Sequence, residues 1–417
     1  MKVYVICAVM LFVCLELCHA EPVLRPHQRV AIVGDSITQQ RLYSRYVEQY
    51  LVACMPELDV QVMQFGWNGE TAGVFFRRMT NDLLGFMPDV VTTCYGMNDG
   101  GYQSYKPETG KNYGDGMRKI VRGLKAEKKT VVVGSPGVVD SKYFRGGREA
   151  AAVYNETLGQ LAGIAQAVAK EEGGAFVDVH SPMMAAMSTA KAALGNDYDV
   201  AGTDGVHPRQ NGHLVMAYAF LKGMGFDGNL GTITVDLKGT SMAEGGHKIL
   251  KADKGVVELE SSRYPFCFGS DEKSPLSNRS ILPYVPFNRD LNRLMLVVRN
   301  VSGGKARIKW GKNEKSFTAA ELAKGINLAE EFIENPFCDA FAKVDTEVYR
   351  KQIFETTMIQ GYISTFPELL RVTGGDPDIA GGVQAFRKAL HGKQEQMSKT
   401  VRAAVRPVKH AIAITEE

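Results

Sequence analysis

Five short runs, each stopping abruptly, constrain this chain more than any other feature of its sequence. Arg29–Gly34 stops at its glycine, Asp59–Phe65 at Gly66, Asp89–Tyr95 at Gly96, Thr130–Val133 at Gly134 and Ala175–Val179 at His180. Most are continuously apolar, as strands buried on both faces of a parallel sheet are; Asp59–Phe65 alternates. Between them lie longer segments with helical spacing: Leu42–Cys54, Met117–Lys125, Ala150–Lys170 and His213–Leu221. This alternation predicts an α/β domain whose parallel sheet is covered by helices on both faces. Ligands bind such sheets at the carboxyl ends of the strands, so chemistry is expected in the loops that follow the runs.

The pattern changes after about residue 228. Gly231–Leu237, Val256–Glu260, Arg293–Val298 and Lys305–Trp310 read as strands of a smaller β-rich unit, residues 228–317. Its aromatic cluster, Tyr264, Phe266, Phe268, Tyr284, Phe287 and Trp310, suits either a core or a sugar-stacking face. Thr318 to Glu321 has the form of a capping box opening a helix toward Glu334. Helical spacing returns over Ala340–Ile363 and Ile379–Arg406, so residues 318–417 read as a helical C-terminal region.

With 417 residues there is room for two or three domains. Lys and Arg number 49 against 46 Asp and Glu, which argues against nucleic-acid binding driven by overall charge. Residues 1–20 have the layout of a secretory signal peptide: Lys2, an apolar run from Val3 to Leu15, and cleavage after Ala20. A secreted or periplasmic protein, with no membrane span once the leader is removed, is the expectation. Of seven cysteines, Cys54, Cys94, Cys267 and Cys338 lie beyond the leader. None has zinc-ligand spacing, and a bond between Cys267 and Cys338 is left open.

Four loops carry chemistry-bearing residues. Gly34-Asp35-Ser36-Ile37-Thr38 follows the first run, Asn68-Gly69-Glu70-Thr71 the second and Gly96-Met97-Asn98-Asp99 the third; Asp204-Gly205-Val206-His207-Pro208 precedes the last helical segment. In this order they resemble the GDSL (SGNH) hydrolase family over residues 28–225. The resemblance implies a flavodoxin-like three-layer α/β/α sandwich over residues 21–227. It also implies a serine esterase or acylhydrolase that needs no cofactor or metal, with an oxyanion hole made by the Ser36 and Gly69 amides and the Asn98 side chain.

The residues support that chemistry on their own terms. A serine hydroxyl is a weak nucleophile until a base takes its proton, and His207 is the candidate base. Asp204, three residues earlier, can accept the imidazole N–H and fix its tautomer. Ser36 could alternatively cap the helix that follows it. Gly69 lacks a Cβ, which lets its amide approach a substrate. Asp35 and Asp99 are read as shapers of their turns. Trp67 and Tyr102 are candidate substrate contacts, Pro136–Arg148 a candidate cleft wall, and Arg209 a solvated side chain. His27, His180, His213, His247, His391 and His410 form no ligand cluster. Polar loops and an accessory β unit suit an acetylated carbohydrate as the ester. The alternatives are a lipase or lysophospholipase, and a non-catalytic carbohydrate-binding or cell-envelope protein. Nothing in the sequence sets the oligomeric state.

Overall fold

The computed structural model describes residues 23–269 and 274–417. The expected leader lies outside the described residues. Strands β1 (Arg29–Gly34), β2 (Gln61–Gln64), β3 (Val90–Cys94), β4 (Thr130–Gly134) and β5 (Ala175–Val177) form one parallel sheet. Their order is β2-β1-β3-β4-β5, that of flavodoxin-like doubly wound sheets. Along β1, Val30 and Ile32 enter one core while Ala31 and Val33 enter the other. Burial on both faces is why such a strand reads as an unbroken apolar run.

The helices of this half are α1 (Ser36–Gln39), α2 (Tyr43–Gln49), α3 (Ala72–Asp82), α4 (Pro107–Ala126), α5 (Gly147–Glu172), α6 (His180–Leu194) and α7 (Gln210–Gly223). Residues of α2, α6 and α7 fill the first core, and those of α3 and α4 the second. The result is a three-layer sandwich.

The second half contains β6 (Asn229–Asp236), β7 (Met242–Ala243), β8 (His247–Asp253), β9 (Val256–Ser261), α8 (Phe287–Leu291), β10 (Arg293–Arg299), β11 (Lys305–Trp310) and β12 (Asn313–Thr318). These continue into α9 (Ala319–Lys324), β13 (Ile326–Asn327), α10 (Leu328–Glu331), α11 (Cys338–Gly361), α12 (Phe366–Val372), α13 (Pro377–Ala404) and β14 (Val408–Glu416). Two small sheets result, ordered β13-β10-β6-β7 and β12-β11-β14-β9-β8.

Two expectations are corrected here, and one open alternative is decided. Residues 318–417 are not wholly helical, because β14 enters the middle of the second sheet between β11 and β9. The capping box at Thr318 is present, but its helix ends at Lys324, where Gly325 takes φ 102°. The aromatic cluster is mostly a core: Tyr264, Phe266, Phe268, Phe287 and Trp310 are buried, and Tyr284 alone of the six is half-exposed. Cys54, Cys94, Cys267 and Cys338 are free thiols.

The C-terminal helices close an open edge of the first sheet. Strand β2 lies at that edge, and its outward backbone groups would be left unpaired. Side chains of α11 take them up. Lys351 Nζ donates to Val62 O at 2.7 Å, Gln64 N donates to Glu355 Oε2 at 3.1 Å, and Gln360 Nε2 donates to Gly66 O at 3.0 Å.

Beneath these bonds is a buried polar cluster. Lys351 is fully buried and pairs with Glu48 at 3.1 Å and Glu355 at 2.7 Å. Gln352 Nε2 donates to Glu48 Oε2, and Gln394 Nε2 donates to Glu355 Oε1, both at 2.8 Å. Burial pushes the Glu48 carboxyl up to about 7 against the opposing pull of Lys351. A carboxyl raised in the fold keeps a proton that the unfolded chain releases. Its stabilisation is full below about pH 4.5 and is lost as pH rises through about 7. Glu48→Gln should therefore flatten the fall in stability between pH 5 and 8, read as Tm against pH. An unchanged slope would show that Glu48 does not hold this proton.

Candidate active site

The three turns after β1, β2 and β3 lie side by side because those strands are neighbours in the sheet. Ser36 is the first residue of α1, directly after β1. Asp35 caps that helix, accepting from Ile37 N at 3.0 Å. The capping role thus falls to Asp35, and the Ser36 hydroxyl is free for another partner.

That partner is His207. Its Nε2 lies 2.8 Å from Ser36 Oγ, and its Nδ1 lies 2.7 Å from Asp204 Oδ2. Asp204 Oδ1 also accepts from the backbone N–H groups of Val206 and His207, both at 2.9 Å. Partial burial raises the Asp204 carboxyl, but these backbone bonds and the His207 ring outweigh it and hold the group below its ordinary value. An ionised Asp204 accepts the Nδ1 proton, which leaves Nε2 to accept from the serine.

His213 braces the loop from behind. Tyr43 N donates to its Nδ1 at 3.2 Å, so its Nε2 carries the proton and donates to Gln40 Oε1 at 3.0 Å. Gln40 Nε2 then donates to Pro208 O at 3.3 Å. Burial lowers the His213 pKa to about 3, so this ring stays neutral.

Gly69 and Asn98 lie on the turns after β2 and β3, the strands that flank β1 in the sheet. Gly69 has φ 71°, and a Cβ there would meet nothing within 4 Å. Glycine is required there by the left-handed backbone and not by crowding. Asn98 Nδ2 donates to Glu70 O at 3.1 Å, and its Oδ1 accepts from Tyr102 Oη at 3.0 Å. An amide nitrogen has two N–H groups, so one remains available for a ligand.

Asp99 shapes its turn as expected, accepting from Ala72 N at 3.0 Å and Gly96 N at 3.1 Å. Burial lifts its carboxyl to about 6 and that of Asp35 to about 7. Tyr102 is exposed, holds φ 58°, and stacks on Tyr154 with ring centres 5.2 Å apart. Phe144, from the expected cleft wall, stacks on the other members of this group. Trp67 is half-buried, with the Arg78 guanidinium 4.8 Å from its ring centre. Arg209 is exposed and bonds Thr203. Among the described residues, no group of His, Cys, Asp and Glu side chains could hold a metal ion.

Sequence reasoning missed the Glu70–Arg78 pair. Glu70 is buried, receives two bonds from Arg78 at 2.5 and 2.7 Å, and accepts from Tyr95 Oη at 2.6 Å. Arg78 also donates to Phe65 O at 3.1 Å. The pair fixes both ends of the turn that carries Gly69. Glu70 lay inside the second loop motif, but Arg78 sits on α3, and only the fold brings it back.

The assembly is a hydroxyl, an imidazole and a carboxylate in relay at the carboxyl edge of a parallel sheet. Such a set can carry acyl transfer. Residues 32–215 match the model of the GDSL-like lipase/acylhydrolase family. An acetylxylan esterase of Geobacillus stearothermophilus is 28% identical over 217 residues, covering 48% of this chain and 95% of that protein. A solved structure described as a gut microbial diltiazem-metabolizing enzyme superposes with TM-score 0.73 at 20% identity. It covers 94% of this chain and 98% of that one, a likeness of fold that extends through the C-terminal half.

Proposed function

Because residues 32–215 belong to the GDSL-like lipase/acylhydrolase family, whose members act on ester bonds, we propose that this chain is a carbohydrate O-acetyl esterase. The observation that carries the reading is the relay Ser36 Oγ–His207 Nε2 at 2.8 Å and His207 Nδ1–Asp204 at 2.7 Å.

In the proposed mechanism Ser36 attacks the ester carbonyl as His207 removes its proton. Asp204 holds the imidazole in the right tautomer and stabilises the imidazolium that forms. The oxyanion rests on the Ser36 and Gly69 amides and on the free Asn98 N–H. Each such donor is worth about 3–4 kcal/mol of barrier. His207 then gives that proton to the sugar oxygen as the C–O bond breaks, releasing the sugar hydroxyl, and water, activated by the same base, clears the acetyl-enzyme. Tyr102, exposed beside Asn98, is the proposed contact for the sugar ring.

Two observations support the substrate class. The matching relative is an acetylxylan esterase, and the loops around Ser36 are polar, as a short acyl group requires. The leader read at residues 1–20 would carry the enzyme out of the cytoplasm, where acetylated polysaccharides are met.

Acetate release from acetylated polysaccharides, set beside 4-nitrophenyl esters of increasing chain length, tests the reading. Acetyl esters should turn over fastest. Preference for long acyl chains would move the assignment to the lipase branch of the family.

A further inference from the structure

We propose that Gln360 of α11 is a positioning residue for the oxyanion pocket, holding the Ser36 and Gly69 amides at their working separation. The inference rests on the hydrolase reading above. It gives the C-terminal half, which lies outside the family match, a part in the reaction.

Gln360 Nε2 donates to Gly66 O at 3.0 Å. A carbonyl oxygen can only accept, so this bond fixes which end of the amide is nitrogen. The remaining oxygen, Oε1, accepts from Gln39 Nε2 at 3.3 Å. Gln39 closes α1, whose first residue is Ser36. Gly66 opens the turn that carries Gly69. One side chain is therefore bonded to both of the elements that supply the backbone donors.

These two elements meet at Gly66. A Cβ there would lie 2.2 Å from Gln39 N, so the turn passes directly over the last residue of the nucleophile helix. Trp67 N donates to Gly34 O at 3.0 Å and ties the same turn to the end of β1. Glu70 and Arg78 hold its far end. Two side chains run across to α1: Gln64 Nε2, which donates to Thr38 O at 2.8 Å from the end of β2, and Gln360, which reaches it from outside the sheet while also holding the turn at Gly66. Its own helix is seated by Lys351 and Glu355 on the edge of β2, so the clamp has a fixed base.

Misplacement of a reacting group by about 1 Å can lower a rate about 10²-fold. A donor pair that opens by a fraction of that distance should stabilise the tetrahedral state less while binding the flat ester equally well. Gln360→Met keeps the length of the side chain and removes both bonds. In the full chain, with 4-nitrophenyl acetate as substrate, it should lower kcat about ten-fold and leave KM within about two-fold. Affinity for phenylboronic acid, which forms a tetrahedral adduct on serine, should fall in proportion. Gln39→Met cuts the bond from the other side and should shift kcat and boronate affinity the same way.

A lower Tm with kcat and boronate affinity close to wild type in both variants would make Gln360 a structural contact and overturn the proposal. Absence of Ser36-dependent turnover in the unmodified enzyme would remove the hydrolase reading, and this inference with it. That second result is recognisable because it appears without any change at Gln360.

Discussion

Ser36→Ala is expected to lower kcat for acetyl ester hydrolysis by roughly 10⁴–10⁶-fold, the range seen when the nucleophile of such a relay is lost. Tm should hardly move. Ser36 is only partly buried, and its hydroxyl bonds His207 and not the packed interior. KM should also change little, because the oxyanion donors and the sugar contacts remain. His207→Ala should lower kcat by a similar amount, and the double variant should do no worse than either alone, since the two residues act as one unit. Near-wild-type turnover in Ser36→Ala would remove Ser36 as nucleophile and leave the relay as a structural hydrogen-bond chain. Loss of turnover together with a collapse in Tm would say that the substitution had damaged the turn and not the chemistry.

The largest expected effect on stability is at Lys351. The ammonium is fully buried between Glu48 and Glu355 and also bonds Val62 O. Burial opposes its charge, but the two carboxylates outweigh this and hold its pKa above the usual lysine value. Lys351→Ala would leave two buried carboxyl groups without their cation and one edge carbonyl unpaired. Breaking a buried pair in this way typically costs about 3–5 kcal/mol. Denaturant unfolding should show a loss of that size. Lys351→Met combined with Glu48→Gln and Glu355→Gln should regain most of it, because no buried charge is then left alone. A loss below about 1 kcal/mol in the single variant would mean that water reaches the site and the cluster is not a closed one.

The sequence exposed some layers of this molecule and hid others for physical reasons. Strands β1, β3 and β4 could be read because burial on both faces writes itself as an apolar run. The placement of Ser36, Gly69, Asn98, Asp204 and His207 could be read because each sits in a local turn next to a legible strand or helix. Strand β14 was absorbed into a helical region although His410, Ile412 and Ile414 point inward at period two. Its partners, β11 and β9, are far away in the chain, and a strand without a nearby partner gives a weak signal. The helix expected from Thr318 to Glu334 failed at one residue, Gly325, whose left-handed φ stops it. The pairing of Lys351 with Glu48 and of Gln360 with Gly66 had no local signature at all. Charged and amide side chains on a helix read as a solvated face until a sheet edge is placed against them. Truncation near residue 228 would strip that edge bare. A soluble, stable fragment is not expected.

The contact between α11 and β2 also has a metric. Lys351, Glu355 and Gln360 meet Val62, Gln64 and Gly66 in the same order along both elements. A helix rises about 1.5 Å per residue, so the stretch from the first of these side chains to the last spans about 13.5 Å. Extended backbone advances about 3.3 Å per residue, so the matching stretch from Val62 in β2 to Gly66 just beyond it spans about 13 Å. The two lengths agree closely over this interval. An insertion or deletion of one residue inside either interval would throw the remaining rungs out of phase, while a change of similar residues at the same spacing would not. What is encoded here is thus a distance in residues more than a set of identities, and it lets a helix serve where a sixth strand would otherwise have to grow.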